Sequence, residues 1–125
     1  MKLLISGTRK ATHGNDYEKL KTAIEKHYPN ATEIIHGGAK GTDTLAGIYA
    51  AEKGLKVTVI KPDYSKHAGK IAPLIRNTQL VKLADCVLCY YLKTKTGGTA
   101  DTARKARTAN KPLVEVLETK SPTLF

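Results

Sequence analysis

The chain of 125 residues has no tryptophan, one phenylalanine, one methionine and two cysteines, and its 11 Asp and Glu are outnumbered by 21 Lys and Arg. Each shortage excludes something. Two cysteines cannot build a disulfide framework. Cys86 and Cys89 fall in one apolar run, where alternation sends them to opposite faces of a strand, so they read as core thiols of a reducing compartment and not as a C-x-x-C redox or zinc pair. No segment approaches the roughly 20 apolar residues that span a bilayer, and the apolar start around Leu3, Leu4 and Ile5 is too short for a signal peptide; a soluble, cytoplasmic protein with no membrane partner is expected. His13, His27, His36 and His67 show neither i,i+4 spacing nor a carboxylate pattern, so no metal site is expected. Six tyrosines and one phenylalanine are scattered without a stacking pattern, which ranks nucleic acid below a small anionic ligand as the partner of a chain with net charge +10.

A chain of this length fits one domain with one core. Apolar runs at 2–6, 32–35, 55–60, 85–91 and 112–117 read as strands. Helical periodicity marks the segments between them, at 16–27, 42–53, 71–81 and 99–108. Pro29 and Gly54 stop the first two helices, and Pro62 closes the third strand. Strand and helix alternate without a repeat or a linker, so an α/β fold is expected: a Rossmann-like three-layer sandwich around a five-stranded parallel sheet, occupying 1–117, with 118–125 as a tail.

Three glycine-bearing turns follow strands, at Gly7, at Gly37-Gly38-Ala39-Lys40-Gly41, and at Gly97-Gly98. In a parallel sheet all three open at the carboxyl edge, where ligands bind near the reversal of strand order. Glycines bare the backbone N–H groups, and a helix begun at Thr42 would point its positive end at the same place, so the turn from His36 to Asp43 reads as a phosphate site. Arg9 offers a planar fork to a phosphate or a face to a base. Thr42 and Asp43 either accept ligand hydroxyls or cap the second helix, and capping is the stronger expectation for Asp43. Gly97, Gly98 and Thr99 repeat the arrangement at the fourth helix. Tyr64, Lys66 and His67 sit in a long loop able to cover a pocket or simply to be solvated.

The ordered set Ser6-Gly7-Thr8-Arg9, His36-Gly37-Gly38-Ala39-Lys40-Gly41-Thr42-Asp43, Ile75-Arg76-Asn77 and Gly97-Gly98-Thr99-Ala100-Asp101 resembles the YspA/YpsA-related branch of the SLOG superfamily. That superfamily has a Rossmann-like fold and includes Lonely Guy phosphoribohydrolases, DprA DNA-processing proteins and sensors of nucleotide-derived signals. The resemblance implies ligand contacts from Gly7, Thr8, Arg9, His36, Gly37, Gly38, Lys40, Gly41, Thr42, Asp43, Arg76, Asn77, Gly97, Gly98, Thr99 and Asp101. It also implies a homodimer or higher homo-oligomer, and no cofactor. In the Lonely Guy pattern P-G-G-x-G-T-x-x-E, the glutamate position is Thr102 here; Arg76 matches the catalytic arginine, and Asp101 stands one residue early, about 100 degrees round a helix. A retained arginine without its carboxylate favours capture of a nucleotide or nucleotide-derived second messenger, for sensing or sequestration, including as a phage or mobile-element sponge. The alternatives are an N-glycosidase using Arg76 and Asp101 and, third, DprA-like nucleic-acid binding.

Overall fold

A computed structural model describes residues 1–119 of the chain. Five strands, β1 (Lys2–Gly7), β2 (Glu33–His36), β3 (Lys56–Val59), β4 (Cys86–Leu92) and β5 (Leu113–Glu118), alternate with four helices, α1 (Asn15–His27), α2 (Thr42–Lys53), α3 (Ile71–Leu83) and α4 (Gly97–Thr108). All pairings are parallel and the sheet order is β3-β2-β1-β4-β5. The Rossmann-like reading holds, and most boundaries fall within a residue or two of the sequence expectation. Helix α4 starts at Gly97, two residues before the expected start, and so takes both glycines into its first turn. The expected tail starts at Glu118, which instead ends β5; residues 120–125 lie outside the described part.

Alternation along the strands divides the core in two. Leu3, Ile5, Ile34, Leu88 and Tyr90 face α1 and α2, whereas Leu4, Ile35, Val87, Cys89 and Tyr91 face α3 and α4. Cys86 and Cys89 accordingly lie on opposite faces, both buried, and burial pushes their thiols up to about 11 and about 12. Leu3, Leu4 and Ile5 on the central strand are fully buried, and truncating one of them to alanine should cost about 2–5 kcal/mol.

Helix α1 forms because Tyr17, Leu20 and Ile24 recur on one face, with Asp16 and Glu18 at its positive end and Lys26 and His27 at its negative end. Gly54 ends α2 in the left-handed region (φ 66°), and its N–H reaches back to the last carbonyls of the helix. The chain builds outward from β1 through β2 to β3, then returns across the sheet to lay β4 on the other side of β1. Strand order therefore reverses between β1 and β4, the crevice that parallel sheets use for ligands. Among the described residues no helix is long and apolar enough to cross a membrane.

Candidate functional site

A cleft of about 730 Å³ opens at this reversal, walled by the loop after β1, the turn after β2, the start of α3 and the loop from β4 into α4. Of the residues expected to touch ligand, Gly7, Thr8, Arg9, Asp43, Arg76, Asn77, Gly97, Gly98 and Thr99 lie on its wall. His36, Gly37, Gly38, Lys40, Gly41, Thr42 and Asp101 do not. What they do instead explains the shape of the cleft.

The turn after β2 holds an anion of its own. Asp43 Oδ2 accepts the N–H of Gly37 and the N–H of Ala39, each at 3.1 Å, and His36 Nδ1 accepts the N–H of Gly38 at 3.0 Å. The three donors that read as a phosphate cradle are therefore engaged by side chains of the same segment. No side chain caps α2, so Asp43 does not take the capping role expected of it; it folds back onto the turn that leads into its helix. Burial pushes the Asp43 carboxyl above the usual carboxylate range, against the pull of its N–H donors, His36 and Arg76. Burial likewise holds His36 below its ordinary value, with Asp43 pulling the other way.

Thr42 and Gly41 staple this turn to the loop after β1. The Thr42 N–H and hydroxyl both donate to the Thr8 carbonyl, at 3.1 and 2.9 Å. Gly41 (φ 71°) lies so close that a Cβ there would come within 2.6 Å of the Arg9 carbonyl carbon, and a Cβ on Gly7 would come within 2.6 Å of Thr42 Cβ. These glycines serve close backbone approach. Lys40 is exposed and does not line the cleft.

Arg76 is the centre of the wall. Its Nη1 donates to the Gly37 carbonyl at 2.7 Å and its Nε to Asn77 Oδ1 at 3.0 Å, so the guanidinium lies against Gly37, where a Cβ would stand 2.8 Å from Cζ. Burial pulls the Arg76 pKa below the ordinary arginine value; Asp43 opposes this, and the positive charge of Arg9 reinforces it. Two guanidinium groups thus repel one another at the same cleft, and Lys10, Lys70 and Lys93 add to the wall. Among the described residues Asp43 is the wall's one carboxylate, already hydrogen-bonded to the turn.

The opposite wall is the start of α4. Thr96 precedes the helix in an extended conformation, no side chain caps it, no acid occupies its first turn, and added Cβ atoms at Gly97 or Gly98 would meet nothing within 4 Å. The first N–H groups of a helix have no partner within it, and they carry the positive end of its dipole. Here they face a cationic cleft.

Asp101 lies behind that wall. Its carboxylate accepts from Asn77 Nδ2 at 3.2 Å and pairs with Lys105 at 2.8 Å and with Arg104. Thr102 is fully buried, its hydroxyl donating to the Gly98 carbonyl at 3.2 Å. Neither residue lines the cleft, and the Asn77 amide stands between Arg76 and Asp101, accepting from the one and donating to the other.

The sequence profile of the YspA, cpYpsA-related SLOG family (YAcAr) matches residues 1–67, just over half of the chain. The chain belongs to that family. The "Gene 61 protein" of Mycobacterium phage D29 is 30% identical over 91 residues, which cover 69% of this chain and 72% of that protein. No solved structure matches. Membership of this SLOG family points to nucleotide-related binding or processing.

Lys10, Lys70 and Lys93 line the cleft of this SLOG domain without having been singled out as site residues in the sequence. A signal existed for the lysines: Lys93 directly follows β4, Lys70 directly precedes α3, and Lys10 lies in the loop after β1, all on the edge where the glycine turns open. Lys93 adopts a positive φ of 69° directly after β4, which aims the chain round the cleft toward α4.

Proposed function

We propose that this SLOG domain binds a nucleotide-derived small molecule in the cleft between β1 and β4 and holds it without cleaving it. The observation that carries the reading is the charge of the wall: Arg9, Lys10, Lys70, Arg76 and Lys93 against the single, internally engaged carboxylate of Asp43. A phosphate fits best at the start of α4, against its uncapped N–H groups, with Arg9 and Arg76 in reach of further anionic oxygens. Leu92, Pro73 and Leu74 give the same cleft apolar surface for a base or sugar face. Sensing or sequestration of a second messenger extends this reading, as does a phage or mobile-element setting, and self-association into a homodimer or higher homo-oligomer belongs to the same proposal.

The hydrolytic alternative has no free carboxylate to draw on, because Asp101 is held in its ion pairs and the Asp43 carboxylate is held by the turn. The test is a thermal-shift screen of mono-, di- and cyclic nucleotides and ADP-ribose derivatives. A ligand bound only by the folded state raises the melting temperature in proportion to the logarithm of its concentration over its Kd. A shift with at least one phosphorylated ligand, and no free base on chromatography after incubation, is expected. Silence from the whole set would overturn the reading, and so would base release that Asp101→Ala abolishes.

A further inference from the structure

The two faces of the sheet differ in charge. Helices α1 and α2 carry five carboxylates against four lysines. Helix α3 has no carboxylate at all, and α4 has only Asp101, which is buried and neutralised by Arg104 and Lys105. Of the five arginines and lysines on these two helices, Arg76 is buried at the cleft and Arg107 pairs with Glu115, which leaves Lys82, Arg104 and Lys105, with Lys111 following.

Between α3 and α4 runs a groove of about 470 Å³ that shares no lining residue with the cleft. Lys82, Arg104, Lys105 and Lys111 line it, with Val81 and Thr108 between them. Two of the cations are fixed in place. Lys105 Nζ donates to the Leu74 carbonyl at 2.6 Å, and Lys111 Nζ donates to the Ala84 carbonyl at 2.5 Å at the carboxyl end of α3. Their ordering cost is met in the folded state, before any partner arrives. Arg104 and Lys82 are exposed beside them, and the Lys82 ammonium makes no hydrogen bond among the described residues.

We propose that the α3–α4 face is a sequence-independent docking surface for the phosphate backbone of double-stranded nucleic acid. A concave row of cations on two parallel-packed helices suits a repeating anion, and affinity from such contacts arises by release of counterions. Neither helix carries an aromatic residue, so nothing there stacks on an unpaired base, and a duplex is favoured over a single strand. The scarcity of aromatics that argues against base reading leaves phosphate contact untouched. This inference does not depend on the cleft having a ligand.

Fluorescence anisotropy of a labelled random 20-base-pair DNA duplex, titrated with the full chain across a salt series, tests it. Four cations less the Asp101 carboxylate that Arg104 and Lys105 share correspond to about three neutralised phosphates, which predicts a slope of about −2.7 in log affinity against log salt, so that doubling the salt weakens binding about 6-fold. A scrambled duplex should bind equally well. Lys82→Gln/Arg104→Gln should reduce the slope by about 1.8. Lys82→Glu removes no internal hydrogen bond, so its weakened binding is read without loss of folding, and the thermal shift produced by a cleft ligand should be unchanged in it. Absence of duplex binding at low salt, a slope near zero, wild-type affinity in Lys82→Glu, or equal competition by poly-glutamate or by anionic phospholipid vesicles would overturn the proposal.

Discussion

Replacing Asp43 with alanine removes the carboxylate that occupies the turn after β2, and the consequence can be worked from its contacts. The N–H groups of Gly37 and Ala39 lose their acceptor, and the buried charge of Arg76 loses its neighbouring carboxylate. An unsatisfied buried donor costs about 1–3 kcal/mol. Because Asp43 also lines the cleft, water can reach part of the vacated site, which keeps the total below the sum of the separate penalties. A loss of about 2–4 kcal/mol is expected, or roughly 8–16 °C in melting temperature for a chain of this size. Asp43→Asn keeps one acceptor and carries no charge into a site where burial already disfavours the ionised form, so about 1–2 kcal/mol is expected for it. Urea denaturation read by circular dichroism measures both. Phosphate or sulfate added to Asp43→Ala should recover more stability than it adds to the wild type at equal ionic strength, because the bared N–H groups then accept an external anion. Asp43→Ala within about 0.5 kcal/mol of the wild type would refute the assignment of this carboxylate to the turn.

Other outcomes follow from the same geometry. Gly7→Ala forces a methyl into Thr42 and should cost about 1–3 kcal/mol by urea denaturation, with the strand otherwise intact. Only neutral imidazole can accept the Gly38 N–H at Nδ1, and burial holds His36 below its unfolded value of about 6.5. Its contribution is then full above that value and lost as pH falls through the folded pKa, so the urea midpoint should drop between about pH 7.5 and about pH 5 more in the wild type than in His36→Asn. Equal drops would contradict this. Asp101→Ala should lower stability by about 1–3 kcal/mol through Asn77, Arg104 and Lys105 while leaving cleft affinity within about threefold, which calorimetry separates.

Much of this fold is written in local patterns. The fully apolar run through Cys86 and Tyr90 marks a strand covered on both faces, and Tyr17, Leu20 and Ile24 mark a helix, because period and burial are properties of neighbours in the chain. The edge on which the turns gather follows from parallel topology. The direction in which a side chain folds back does not. Asp43 sits in the first turn of α2, where local chemistry favours capping over ligand contact; its choice of Gly37 and Ala39 instead goes with the Thr42 staple to Thr8, 34 residues away in the chain. Asp101 is similar: helical spacing places it near Arg104 and Lys105, but its turn away from the cleft depends on Asn77 from α3. Lys70 and Lys93 reach the cleft only because α3 and β4 are brought there by the crossover.

The central claim is that the cleft recognises a phosphorylated small molecule by charge. Isothermal titration calorimetry of the best nucleotide from the thermal screen, against the same compound stripped of its phosphate, tests it most directly. Two charge-assisted contacts at about 1.5–3 kcal/mol each predict that the nucleoside binds at least about 100-fold more weakly, and that Arg9→Ala and Arg76→Ala weaken the nucleotide but not the nucleoside. Equal affinity for the two compounds, with either arginine dispensable, would contradict the account.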